Sequence, residues 1–97
     1  MNFMTFTFEF TSNLKKIIEK LVKKDKKLSE VLYRKITEII NSDEITIEHY
    51  KNLKYDFSNK KRVHIRNNFV LLFSVLKDKN HIIFLDFEHR GHIYKRK

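Results

Sequence analysis

The chain has 97 residues, 41% of them hydrophobic, with no cysteine, no proline, one glycine and a formal charge of +9 at pH 7 from 21 Lys+Arg against 12 Asp+Glu. That length suits one domain with a modest core, and the missing cysteines exclude disulfides and thiolate zinc sites. No apolar run approaches the roughly 18–20 residues of a spanning helix and no signal sequence is present, so a cytoplasmic protein without a membrane partner is expected; the basic excess points to a polyanion, nucleic acid foremost.

In chain order, Phe6, Phe8 and Phe10 alternate with Thr5, Thr7 and Glu9, the period-two pattern of a half-buried strand, and all three rings are expected in the core. Thr11 or Ser12 then caps a helix whose Leu14, Ile17, Ile18, Leu21 and Val22 form one apolar stripe. Asp25 is placed to cap a second helix, with Leu28, Val31, Leu32, Ile36, Ile39 and Ile40 inward, and Asn41-Ser42-Asp43 ends it. The two make a helical hairpin. Residues 44–60 read as a partly packed connection: Glu44-Ile45-Thr46-Ile47 suits a strand or a short turn, and Tyr50, Leu53, Tyr55 and Phe57 are scattered anchors.

From Lys61 onward the pattern is β. Val63 and Ile65 face one way, so Arg62, His64 and Arg66 face the other, successive outward side chains standing roughly 7 Å apart. Asn67-Asn68 suits a two-residue turn. Phe69–Leu76 is almost continuously apolar, as in a central strand, Lys77-Asp78-Lys79-Asn80 turns, and Ile82–Phe87 forms another strand. The expected fold class is α+β: a small, mainly antiparallel twisted sheet in the order β-α-α-β-β-β, with the helical hairpin on one face, as a single domain over residues 1–97.

The last nine residues, His89 to Lys97, hold six basic or imidazole side chains, Tyr94 and no acid. Leaving the final strand, they can bring His89, Arg90, His92 and Tyr94 near the Arg62-His64-Arg66 row. Cleavage of RNA by its own 2′-hydroxyl needs a base, an acid for the leaving oxygen and cations around the crowded phosphate, and no metal, because the substrate supplies the nucleophile. Histidines and arginines on one surface meet those needs, and Tyr94 and Tyr55 can stack on splayed bases. The plainer reading is an ordinary solvated sheet face and a solubilising basic end; Lys23-Lys24 and Lys26-Lys27 read as a solvated helix turn. His49 and His81 receive no role. The acids are scattered, His89 and His92 lack an evident third ligand, and one glycine rules out a glycine-rich phosphate loop, so no cofactor or metal is expected.

Taken together these motifs resemble the RelE/ParE superfamily of toxins from toxin–antitoxin pairs. The likeness runs over nearly the whole chain: the phenylalanine-rich first strand, the helical hairpin, Tyr50-Lys51-Asn52-Leu53-Lys54 leading to Arg62-Val63-His64-Ile65, the Phe69–Val75 strand, and Ile83 to Tyr94 with its His-Arg-x-x-Ile-Tyr ending. The resemblance, to the RelE-like branch, implies a toxin that cleaves mRNA in the ribosomal A site, leaving a 2′,3′-cyclic phosphate and inhibiting translation. It also implies an acidic, helix-rich antitoxin that covers the basic surface, in a toxin–antitoxin heterotetramer. Carried onto this sequence, it makes Arg62, His64, Arg90, His92 and Tyr94 the catalytic set. His64 is then the base, His92 or Tyr94 the acid, and Arg62 and Arg90 the phosphate stabilisers. Lys54, Lys60, Lys61, Arg66, His89, Lys95 and Arg96 become RNA-binding. The chain departs from the pattern at Val70, where many such toxins carry an arginine; Arg66 is the candidate substitute. Two other readings remain open: a ParE-like inhibitor of DNA gyrase, and a non-catalytic RNA- or DNA-binding module.

Overall fold

The computed structural model describes residues 6–52 and 60–95, with side chains through residue 92. Five strands, β1 (Thr7–Phe10), β2 (Lys51–Asn52), β3 (Lys60–Ile65), β4 (Phe69–Leu76) and β5 (His81–His89), form one sheet in the order β1-β5-β4-β3-β2. Among the described residues only the β1–β5 pair is parallel. Helices α1 (Ser12–Lys24) and α2 (Lys26–Ile40) pack on one sheet face; α3 (Glu44–Ile47) and α4 (Arg90–Lys95) are short. This is the α+β hairpin-on-sheet arrangement expected from the sequence, with α3, β2 and α4 added.

Local chemistry sets the element ends. The Thr11 hydroxyl accepts from the Leu14 amide (3.1 Å) and donates to the Leu85 carbonyl (2.8 Å), so the residue that starts α1 also ties it to β5. Asp25 serves both helices of the hairpin. Its amide donates to the Leu21 carbonyl (2.8 Å) and its carboxylate accepts from the Leu28 amide (3.1 Å). Asp43 caps α3 through the Thr46 amide (2.7 Å), and that hydrogen bond holds its carboxyl below the usual range. The alternating Ile45 and Ile47 suggested strand or turn; with the cap in place they lie on a helical turn, Ile47 buried and Ile45 73% exposed.

The core lies between the hairpin and the sheet, with Leu14, Ile18, Leu28, Leu32, Ile36 and Ile39 meeting Ile65, Leu71, Phe73, Val75, Phe84 and Phe87. The expected phenylalanine floor is incomplete: Phe6 is buried and Phe10 half-buried, but Phe8, on the edge strand, is 38% exposed. Ile82 and Phe84 are spaced for one strand face, whereas Phe84 and Phe87 are three apart and no regular strand would turn both inward. A bulge resolves this: Leu72 pairs with Asp86 and Phe73 with Phe84, leaving Leu85 extra. Leu85 instead packs with Val70 and Leu72 in a second small cluster on the outer face.

Two sequence expectations about β3 change. The strand stops at Ile65; Arg66 and Asn67 take left-handed conformations (φ 55° and 65°) in a turn of Arg66, Asn67 and Asn68. Arg66 is therefore not the third member of a strand row. Lys61 is 4% exposed and belongs to the helix side with Val63 and Ile65. Its ammonium donates to the Tyr50 carbonyl (3.2 Å) and Asn52 Oδ1 (3.1 Å) and pairs with Glu48 (3.5 Å). A lysine so buried and so partnered is structural, because an ammonium leaves water only where donors find acceptors. It is not an RNA contact.

Candidate catalytic face

Directly paired residues of neighbouring strands point to the same side of a sheet. On the side away from the hairpin, register gives one row of Lys51, Arg62, Leu72 and Asp86, and a second of His64, Val70 and Glu88. Lys60, in register with Ser74, extends the basic edge. Val70 and Leu72 are the buried floor between these polar walls. Asp86 is 6% exposed and accepts from the Phe87 amide (2.8 Å) and from Asn13 Nδ2 (3.2 Å), so it anchors the start of α1 to β5.

Arg90 joins this face from the chain's last helix. Its amide donates to the Asn68 carbonyl (2.8 Å), which binds the first residue of α4 to the β3–β4 turn and sets the guanidinium near His64. The electrostatics record the convergence. The His64 imidazole is pushed below its ordinary value, first by partial burial and then by the charges of Arg62, Arg90 and Lys51. At neutral pH His64 is accordingly a neutral base among three cations, an arrangement that can take a proton while holding an anion.

The other expected residues divide. His89 pairs in register with Phe69 on the helix side and stands edge-on to its ring (centroids 5.7 Å, 72°); His92 lies beside it, ring centroids 6.2 Å apart. The rings of these two histidines contact each other. Arg66 is exposed in its turn. Tyr94 and Lys95 lie on the α4 backbone with side chains outside the described residues, and Lys54, Tyr55 and Arg96 lie outside them altogether. Among the described residues no group of three or more His, Asp or Glu is placed to hold a metal ion. Lys51 was not foreseen, since only the two-residue β2 sets it beside Arg62. A groove of about 290 Å³ over Phe6, Ile47 and Val75, rimmed by Glu44, Glu48 and Lys77, opens at the opposite end of β4 from His64.

A five-stranded sheet with a helical hairpin on one face is also the fold of RelE toxins. The isolated Escherichia coli RelE toxin superposes with a TM-score of 0.69 at 17% identity, over 94% of this chain and 97% of that one. The RelBE2 toxin–antitoxin complex of Mycobacterium tuberculosis matches with a TM-score of 0.69 at 15% identity, over 91% and 94%. No protein-family model matches the chain. In sequence, a Methanocaldococcus jannaschii protein named "Putative toxin RelE4" is 40% identical over 92 residues, 95% of this chain and 94% of its own length. An uncharacterized Methanosarcina mazei protein is 36% identical over 89 residues, 92% of this chain and 99% of its own length. The chain belongs to the RelE family of toxins.

Proposed function

We propose that this toxin is an endoribonuclease that cuts mRNA in the ribosomal A site, without a metal, and so stops translation. The observation that carries the reading is geometric: register sets Lys51 and Arg62 side by side on the face that bears His64, and α4 ties Arg90 to the adjoining β3–β4 turn. His64 takes the proton from the ribose 2′-hydroxyl, the 2′-oxygen attacks the adjacent phosphorus, and the 5′-oxygen leaves, giving a 2′,3′-cyclic phosphate. Arg62 and Arg90 meet the charge on the equatorial oxygens as the phosphorane forms. The proton for the leaving oxygen comes from α4, which carries both His92 and Tyr94. Lys51 and Lys60 extend the phosphate path along the sheet edge.

The same basic face fits an acidic antitoxin, and structural neighbours from E. coli and M. tuberculosis are toxin–antitoxin complexes. We infer a cognate antitoxin that covers Arg62, His64 and Arg90, in a heterotetramer. The test of the nuclease is primer extension on a message undergoing translation in vitro, with purified toxin or its His64→Ala/Arg90→Ala variant. Breaks within A-site codons that vanish with the variant are expected. Unbroken message and undisturbed translation would overturn the reading, and DNA supercoiling by gyrase is then the next assay.

A further inference from the structure

The chain's single glycine lies between His89 and His92, in α4, and its backbone does not call for it. Gly91 takes no positive φ, and glycine weakens a helix that alanine would strengthen. What its missing side chain leaves open is His89 Nδ1. A Cβ at position 91 would lie 3.7 Å from that nitrogen, in ordinary contact, so a branched side chain there would crowd it. The Gly91 amide donates to the same nitrogen at 3.4 Å, which marks Nδ1 as the unprotonated atom of the ring. A bond of that length holds the lone pair only weakly.

His89 and His92 are both exposed, with ring centroids 6.2 Å apart and planes inclined by 58°. The His89 ring is braced: it stands edge-on to Phe69 (5.7 Å, 72°), which is itself stacked on Phe87 (5.3 Å, 15°). Two imidazole nitrogens that share one ion at about 2.0–2.1 Å each leave their ring centroids roughly 5–6.4 Å apart, from a tetrahedral to a straight angle. The observed spacing falls inside that range.

We propose that His89 and His92 form a transition-metal site that takes Zn²⁺ through His89 Nδ1 and one ring nitrogen of His92, with water completing the shell. Among the described residues no carboxylate joins the pair. Two neutral nitrogens favour a borderline ion over Mg²⁺ or Ca²⁺, which need oxygen ligands. Two protein ligands also hold an ion less firmly than the three or four of a dedicated centre, so the site exchanges its ion readily. His89 is on the helix side of the sheet, away from His64, so the ion takes no part in phosphate chemistry at that residue. Its effect is on the chain. His89 closes β5 and His92 belongs to α4, so one ion staples strand to helix on either side of Arg90. It also occupies one of the two α4 groups that could supply a leaving proton. Neither the binding nor the staple rests on the nuclease reading.

The test is a titration of the full-length protein with Zn²⁺ alone, the imidazole signals followed by NMR and the affinity by calorimetry. One ion per chain is expected, moving the signals of His89 and His92 and leaving those of His49, His64 and His81 in place. His89→Gln and His92→Gln should each weaken binding by about tenfold or more, at least what loss of an outer-shell partner costs a metal site. Gly91→Val keeps both histidines and should weaken binding as well, whereas Gly91→Ala, whose Cβ only touches Nδ1, should bind as the wild type does. Zn²⁺ should raise the thermal midpoint of the wild type and not that of the glutamine variants. Shifts at His49, His64 or His81 in place of the pair, or binding untouched in either glutamine variant or in Gly91→Val, would each overturn the proposal. So would Mg²⁺ acting as well as Zn²⁺.

Discussion

His64 and Lys61 sit three residues apart on one strand and meet opposite fates, because alternation sends one to each face of the sheet. The pattern that marked Arg62 and His64 as outward also marked Lys61 as inward with Val63 and Ile65; its charge alone argued for a surface role. Asn52, Tyr50 and Glu48 complete its site, and Lys77, with a smaller contribution from Lys61, holds the Glu48 carboxyl low. Replacing Lys61 with methionine leaves those acceptors without their buried donor and is expected to cost about 1–3 kcal/mol in urea unfolding, with little direct effect on RNA binding. For His64 the sign is as follows. Desolvation first, and then the neighbouring cations, depress its pKa, so the proton-accepting form is present at neutral pH and is lost only as pH falls through the lowered value. Lys51→Ala removes one of those charges and should raise the His64 pKa, seen in an imidazole NMR titration, and move the acid limb of cleavage to higher pH. An unmoved titration would show that Lys51 lies outside the field of the site.

At the level of elements, α1 and α2 were readable because their apolar residues recur at helical spacing and Thr11 and Asp25 stand where caps belong. Asp25→Ala is expected to cost about 1 kcal/mol and to lower the thermal midpoint by roughly 4–8 °C, since it removes the α2 cap from the joint of the hairpin. Three features resisted reading for separate reasons. In α3, Ile45 and Ile47 alternate like a strand, and only the cap from Asp43 decides for a helix. β2 is too short for any periodicity, so the placement of Lys51 beside Arg62 left no sequence signal beyond its own charge. In β5 nearly every residue from Ile82 to Phe87 is apolar or aromatic, so the one-residue slip at Leu85 could not be counted. That slip decides which face receives Asp86, Glu88 and His89, and therefore why His89 parts company with His64. Arg62, His64 and Arg90 were legible; that they meet while His89 faces the other side of the sheet depended on this bulge and on the Arg90–Asn68 hydrogen bond.

Across the whole molecule, stability rests on a single aromatic-rich layer. Phe84 is fully buried, with Phe10 at 5.6 Å, Phe73 at 5.9 Å and Phe8 at 6.3 Å between ring centroids. Phe84→Ala should cost about 3–5 kcal/mol, much of the roughly 5–15 kcal/mol that a small domain has in total. Chemical denaturation of an otherwise inactive variant would show it as a large fall in the unfolding midpoint at unchanged slope. The pairing of β1 with β5 carries a consequence of another kind. Thr7 lies opposite His81, so the strand synthesised first finds its neighbour in the strand synthesised last. At about 5–20 residues per second, β1 waits several seconds for β5 to be made. Arg90 follows β5 directly, so the face that gathers around His64 assembles only after β5 has been made. The β1–β5 pair, and with it the face around His64, therefore cannot form on a nascent chain until β5 has been made, and that interval is open to any partner able to reach the chain before it closes.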